Sequence, residues 1–433
     1  MYSPEIISRR EHNLRKSGVK FTRLPKERSI EIADKINRLR YDSSNRLLPD
    51  QQLSRPLDDR EIEFTMSELV LCKIDFRYFF ERYYKLEIDP GVMTGESSNG
   101  ASPFDAGKKI AAPVLLPSQE RFIRKAGERE EVCYQEYAKY KFTRGILLVF
   151  HKVRQVAATA TACGMKFHRM IFWPGTRALC ASIDEKRVAE LYRRDDLALD
   201  EFPFWMCPRV YPRVKNEEIG FASPINSRCV YQAENQQAGG LGVGTQQDFS
   251  HLTEVGLWNN PGYIKFSLLP AIPKAITTLL IMESTSNGKG NYWHDLTEDV
   301  RHKREGYEDW TYAFIPWYVN ATKYRGNVPV NWKPKEHTLK HAEMIIKTSP
   351  EFNYGVTIRP TKEQLYWWEK ERAAHLRSGE LASFLTNFPA TPEQSFQSPN
   401  NGAFSPEFIE RVEVGVSFPE GSYEFDLVGA DNT

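Results

Sequence analysis

Residues 147 to 161 read Leu147-Leu148-Val149-Phe150-His151-Lys152-Val153-Arg154-Gln155-Val156-Ala157-Ala158-Thr159-Ala160-Thr161, an apolar run that passes through a basic corner into a row of small residues. The apolar part predicts a buried parallel strand, and Thr159 to Met170 predicts a helix. Where a strand turns into a helix, unpaired amides and the positive end of the helix dipole meet, which is a place that holds phosphate. Lys152 and Arg154 bring positive charge to this corner, the backbone of Gln155, Val156, Ala157 and Ala158 can face an anion, and the Thr159 hydroxyl is of the type that ligates magnesium. The chemistry such a corner could support is hydrolysis of a nucleoside triphosphate, which also needs a carboxylate to orient water and a group that senses the terminal phosphate. Glu254, at the end of the run Phe249 to Val255, is a candidate for the first. Ser284, Thr285, Ser286 and Asn287, which end the run starting at Leu279, are small polar candidates for the second. Gln119 sits just inside a helix capped by Ser118, some thirty residues before the corner, and its amide offers both a donor and an acceptor to the edge of an adenine.

These residues need a scaffold that brings them together. Ala178 to Ile183 reads as a second buried strand and Asp184 to Arg194 as a charged helix, and the two apolar runs near 249 and 279 follow with helix signals between them. That alternation predicts an α/β fold with a mostly parallel central sheet flanked by helices. In open sheets of this kind ligands bind beyond the carboxyl ends of the strands, so Lys152 to Thr159, Glu254 and Ser284 to Asn287 are expected to converge on one crevice. Glu201 to Tyr231 is dense in Pro, Trp and Arg and reads as an excursion on the sheet edge, with Arg209, Arg213, Lys215 and Arg228 as basic groups on it. Gln237 to Gln246 holds Gly239, Gly240, Gly242 and Gly244, which suit either a ligand loop or a long turn.

The division expected along the chain is a polar, basic N-terminal arm over 1–60, a nucleotide-binding core over 61–308, a wrapping subdomain and linker over 309–411, and a tail over 412–433. Part of the arm, Ser29 to Arg40, has helical periodicity, and its charge reads first as a solvated face. The aromatic stripe from Leu69 to Leu86 (Phe76, Tyr78, Phe79, Phe80, Tyr83, Tyr84) reads as core before it reads as a base-stacking platform. A net charge of +1 over 433 residues gives no global attraction to nucleic acid, so any basic surface must be local. The six cysteines are scattered with no metal-ligand spacing, and no apolar run reaches the length of a membrane span.

The residues also form an ordered series: Gln119; Lys152-Val153-Arg154-Gln155-Val156; Gly242-Val243-Gly244-Thr245; His251-Leu252-Thr253-Glu254-Val255-Gly256-Leu257-Trp258; Glu283-Ser284-Thr285-Ser286-Asn287-Gly288-Lys289-Gly290; Pro316-Trp317; and Phe388 to Phe396. From about residue 69 to 410 this series resembles the large terminase subunit of tailed double-stranded-DNA bacteriophages. The resemblance implies a helicase-like P-loop (ASCE-type) ATPase that uses ATP and Mg2+ to drive viral DNA into a preformed capsid. It implies as partners double-stranded DNA, the portal protein and the small terminase subunit, a pentameric ring on the portal, no membrane, and a place in the host bacterial cytoplasm with transient docking at the procapsid. By position, Lys152 resembles the displaced basic residue opening a variant Walker A loop, and Arg154 the loop arginine that acts on the terminal phosphate. Thr159 falls at the magnesium hydroxyl and Glu254 at the catalytic glutamate. Ser284, Thr285 and Ser286, with Asn287, resemble the coupling motif, and Gln119 the adenine-reading glutamine. Arg193 and Arg194 are candidates for a finger reaching a neighbouring subunit.

Three positions depart from the pattern. Ala157 stands where the family has a glycine able to adopt positive φ, Ala158 stands at the usual lysine, and Thr253 stands at the Walker B aspartate, leaving a hydroxyl in place of a carboxylate near the metal. These raise a rival reading, a non-hydrolysing scaffold that binds DNA and portal; a helicase or remodelling ATPase is a second. The family's nuclease is not expected in this chain, since only Asp426 and Asp431 near its end offer acidic candidates.

Overall fold

The computed structural model describes residues 2–49, 52–88, 109–234, 246–321 and 323–396. The glycine-rich stretch from 239 to 244, Asp426 and Asp431 lie outside the described residues.

The N-terminal segment forms α1 (Pro4–Lys16) and α2 (Lys26–Asn37), followed by α3 (Asp59–Ile74) and the short α4 (Phe76–Phe80). Ser3 caps α1 through the Ile6 amide, and an Asp58/Glu61 capping box starts α3. The basic residues of the arm are largely exposed, as read, while its apolar residues Tyr2, Phe21, Ala33 and Ile36 dock on the core. The Tyr2 and Ser3 amides donate to Glu130 Oε2 at 2.8 and 3.0 Å, and Ile6 and Ile36 are buried. The basic residues of this stretch lie on the outer faces of helices whose apolar stripes are docked. The aromatic residues from Phe76 to Tyr84 are buried, as a core stripe would be.

After the short antiparallel pair β1 (Leu86–Ile88) and β2 (Lys109–Ala111) comes α5 (Pro117–Tyr140), started by a proline in its first turn. Then the alternation begins: β3 (Ile146–Lys152), α6 (Ala158–Phe172), β4 (Arg177–Ser182), α7 (Glu185–Asp200), β5 (Glu218–Gly220), β6 (Arg228–Ala233) and β7 (Phe249–Thr253). A helical turn α8 (Leu269–Ala271) leads to β8 (Leu279–Ser284), α9 (Tyr292–Arg301) and β9 (Trp310–Ile315). The chain continues through α10 (Glu336–Phe352), α11 (Lys362–Arg377), α12 (Leu381–Asn387) and α13 (Pro392–Ser395).

The central sheet has the order β5-β6-β4-β7-β8-β3-β9, parallel except for β5, which runs antiparallel to β6 at the edge. Its inner strands are buried on both faces, so they read in the sequence as unbroken apolar runs. On one face Leu148 and Phe150 of β3 pack with α6 and the aromatic helix α4; on the other Leu147 and Val149 pack with Trp293 and Leu296 of α9. β8 separates β3 from β7. The excursion at 201–231 lies on the sheet edge. β9 starts past the boundary expected at 308 yet pairs along its length with β3, so the sheet extends into the stretch read as a wrapping subdomain. In α10 to α12 an aromatic cluster holds Trp367 against Trp317, Tyr324 and Phe388. Among the described residues no helix is long and apolar enough to cross a membrane.

Candidate functional site

The turn from β3 into α6 has an unusual backbone. Gln155 and Ala157 both adopt positive φ, 56° and 57°, a region where only glycine is at ease. Ala157 occupies the conformation anticipated for a glycine at that position. The alternation turns successive carbonyls outward, where side chains from two other segments meet them. Tyr324 OH donates to the Arg154 carbonyl at 2.5 Å, Lys323 Nζ to that of Gln155 at 2.6 Å and Ser118 Oγ to that of Val156 at 2.8 Å. On the other side, the amides from Arg154 to Ala160 donate no hydrogen bond among the described residues, while Thr161 N closes the first helical bond to the Ala157 carbonyl at 3.1 Å. The result is a row of open N–H groups running into a helix start, which is the geometry of an anion cradle. Lys152, Thr159, Glu254 and Ser284 lie at the ends of β3, α6, β7 and β8 that border it.

The charges beside the cradle centre on Lys152, which is 7 % exposed. Its Nζ lies 3.8 Å from Glu254 Oε1 and 3.5 Å from Glu283 Oε2. Glu254 also has positive φ, 58°, so the strand end is bent at the residue that carries the carboxylate, a strained backbone of the kind that clusters at functional sites. Gly256 follows two residues on and could not carry a side chain, since a Cβ there would lie 2.8 Å from the Thr285 carbonyl and 3.0 Å from Ser284 Oγ. Its amide donates to that Ser284 hydroxyl at 2.9 Å, so the Glu254 turn and the candidate coupling segment are in direct contact. Thr253 is buried, and its carbonyl accepts from the Trp258 indole at 3.1 Å.

Glu283 was not among the residues picked out as functional, yet it is fully buried at the centre of this group. It pairs in register with Thr253 on one side and with Phe150 on the other, and its Oε1 lies 3.0 Å from His251 Nε2. Burial acts to raise its pKa, but Lys152, His251 and the Thr159 hydroxyl together hold it down at about 2. Burial acts the other way on His251, and Cys180 and Glu283 raise it to about 9. Glu283 Oε2 makes no hydrogen bond among the described residues.

A second buried network ties the same strand to the end of the described chain. His151 Nε2 meets Ser286 Oγ at 2.7 Å and Ser395 Oγ at 2.8 Å, and its Nδ1 meets Tyr312 OH at 2.9 Å. Burial, with the nearby Arg301 charge, lowers its pKa to about 3, so the ring is neutral. Ser286 therefore bridges β3 and α13, while Thr285 is buried beside it and Asn287 accepts through its carbonyl from Asn291 at 2.7 Å.

Several residues read from the sequence are placed otherwise than anticipated. Gln119 is buried, its amide oxygen accepting from Leu116 N at 3.0 Å and its nitrogen donating to Thr161 Oγ1 at 3.1 Å, so it joins α5 to α6 and presents neither group to a base. Arg154 is exposed, with its Nε on Asn387 Oδ1 at 2.8 Å, outside the cradle. Arg193 and Arg194 lie in the middle of α7, bridged to Glu190 at 3.0 and 3.5 Å. Arg213 is held by Asp196 and Asp200 at 2.5 and 2.7 Å. Among the described residues no group of three or more His, Cys, Asp or Glu side chains forms a metal cage. Magnesium does not need one, because it commonly takes one or two protein ligands and fills its shell with phosphate and water. A hydroxyl at Thr159 beside an open carboxylate oxygen at Glu283 fits that mode of binding.

No protein-family model and no curated protein matches this sequence. Solved structures with a similar arrangement include the HK97 bacteriophage large terminase, 13 % identical with a TM-score of 0.43 over 76 % of this chain and 54 % of that one. The large terminase from a thermophilic bacteriophage is 9 % identical with a TM-score of 0.33, covering half of each chain. The large terminase ATPase domain of Thermus phage P74-26 is 11 % identical with a TM-score of 0.33, covering 57 % of this chain and all of that domain. The chain thus spans about half the length of the HK97 protein.

Proposed function

We propose that this chain is an ATP-hydrolysing motor of the large-terminase type that drives double-stranded DNA into a viral capsid. The observation that carries the reading is the turn from Lys152 to Thr159. Its carbonyls are satisfied from outside and its amides are open, at the end of a parallel strand, with Ser284 at the end of the adjacent β8 and Glu254 at the end of β7 beyond it. On this reading the open amides and Lys152 hold the phosphates, Thr159 takes part in holding magnesium, and Glu254 orients water toward the terminal phosphate. Bound magnesium would supply charge neutralisation on the phosphates. Ser284 to Asn287 would pass the state of the site to Ser395 through Ser286. Portal protein, small subunit and a pentameric ring in the host cytoplasm follow from the family resemblance and belong to the same proposal, as does a finger role for Arg193 or Arg194 between subunits. The roles proposed for Arg154 and Gln119 require both side chains to leave their present partners when nucleotide binds.

The test is phosphate release from ATP with and without double-stranded DNA, comparing the native protein with Glu254→Ala. Loss of a water-orienting carboxylate is expected to lower the rate by roughly 100-fold or more. If both proteins are equally inert with DNA present, the motor reading fails. The non-hydrolysing scaffold that binds DNA and portal, favoured by Ala158 in place of the usual lysine, is then the reading that stands.

A further inference from the structure

The resemblance leaves a gap at the metal, because the residue expected to be an aspartate is Thr253. The structure places another carboxylate beside it. Paired residues on adjacent strands project from the same face, so Glu283 and Thr253 are side-by-side neighbours on the face covered by α6. Glu283 is one strand, about 4.8 Å, nearer to β3 than Thr253 is. It is a methylene longer than aspartate, and it lies beside Thr159, the other candidate for the metal.

A buried glutamate could serve only as a partner for Lys152 and His251. Such a group normally has both oxygens hydrogen-bonded, since an open lone pair in the interior costs free energy. Here Oε1 is taken by His251 while Oε2 accepts no hydrogen bond among the described residues, with Lys152 Nζ no closer than 3.5 Å. The fixed oxygen sets the carboxylate plane and the open one is left for a further ligand. We infer that Glu283 supplies the carboxylate that Thr253 lacks, acting with the Thr159 hydroxyl toward a magnesium ion held on the phosphates of bound nucleotide. The inference rests on the nucleotide-binding reading above, and it makes the coupling strand β8 a source of metal contact as well as of the Ser284 to Asn287 segment.

The experiment measures the Kd of the full chain for a non-hydrolysable ATP analogue, adenylyl imidodiphosphate, in magnesium and in EDTA. Native protein is expected to bind more tightly with magnesium. Glu283→Gln should reduce that magnesium effect by roughly 10- to 100-fold without lowering the affinity in EDTA, where loss of a carboxylate that competes for Lys152 can only favour the phosphates. Thr253→Asp combined with Glu283→Gln should restore it by returning a carboxylate to the neighbouring strand. If Glu283→Gln does not fold, Glu283→Asp keeps the buried charge but withdraws it, and it carries the same expectation. A magnesium effect of native size in either single variant overturns the inference. So does an equal loss of affinity in magnesium and EDTA, which is the sign of a merely structural role. Native protein that binds the analogue under neither condition overturns the nucleotide reading itself, a result distinct from both.

Discussion

Ala157 should be more stable as glycine. In the left-handed region its Cβ crowds the following carbonyl, at a cost of about 1–2 kcal/mol. Glycine removes that cost but gives the unfolded chain more freedom, which takes back about 0.4–1 kcal/mol. The difference is a gain of zero to about 1.5 kcal/mol for Ala157→Gly. The same replacement at Ala162, buried within α6, should lose about 1 kcal/mol or more, because there glycine only loosens a helix and removes a packed methyl. Denaturant midpoints of the two variants, with unchanged slope, give the comparison directly. Because the substitution leaves the amides of the turn in place, nucleotide affinity is expected to be at least that of the native protein. A fall in the stability of Ala157→Gly as large as that of Ala162→Gly would refute the argument. It would mean that the positive φ is not a conformation the folded turn needs.

Gly256→Ala would drive a Cβ onto the Thr285 carbonyl, and is expected to lower stability by about 1–3 kcal/mol and to lower DNA-stimulated phosphate release more than nucleotide affinity; an unchanged melting temperature would count against that contact. Lys166 and Asp195 form a fully buried ion pair beneath the sheet, so Lys166→Met should cost about 3–5 kcal/mol, with the double variant Lys166→Met and Asp195→Leu recovering much of it in denaturant titrations. His341, stacked between Trp317 and Trp368, and His168, packed against Phe79 and Phe172, are held neutral by burial, with pKa values lowered from the ordinary 6.5 to about 3. The unfolded chain takes up protons at these residues below pH 6.5 and the folded chain does not, so stability should fall as pH drops from 6.5 toward 3. His341→Phe, which keeps the stacked ring, should make that fall shallower between pH 7 and 5, and an unaltered slope would reject the assignment.

What the sequence made legible was local or periodic. The strand-turn-helix at 146–172, the buried strands and the position of Glu254 at a strand end follow from apolar runs and from the rule that parallel strands present their carboxyl ends together. The roles of polar side chains depended on partners distant in the chain. Nothing local shows that Glu130 will receive the amide of Tyr2 from 128 residues away, and without that bond the basic N-terminal helices read as a solvated arm. Gln119 likewise has the position of a base reader, but Thr161, 42 residues on, takes its amide nitrogen. Arg154 is drawn to Asn387 across 233 residues.

Glu283 marks the boundary between the two cases, because its signal was present in the sequence and needed physics to be read. It falls in Leu279-Leu280-Ile281-Met282-Glu283-Ser284, a run whose other members identify a strand buried on both faces. A carboxylate at such a position loses its hydration, and it persists as an anion only where cations and hydrogen-bond donors replace the water. The run therefore demands a positive group within reach. Lys152 and His251, each near the carboxyl end of a strand flanking β8, are the ones the topology supplies. The same reasoning applies to Lys152, whose charge would be costly at 7 % exposure without the two glutamates facing it. Lysine and carboxylates are thus a single buried electrostatic unit, and phosphate entering the cradle would compete with Glu254 and Glu283 for Lys152. On the proposed function, release of Glu254 from the lysine would be linked to nucleotide binding, which would place the carboxylate proposed to orient water under the control of the ligand it acts on.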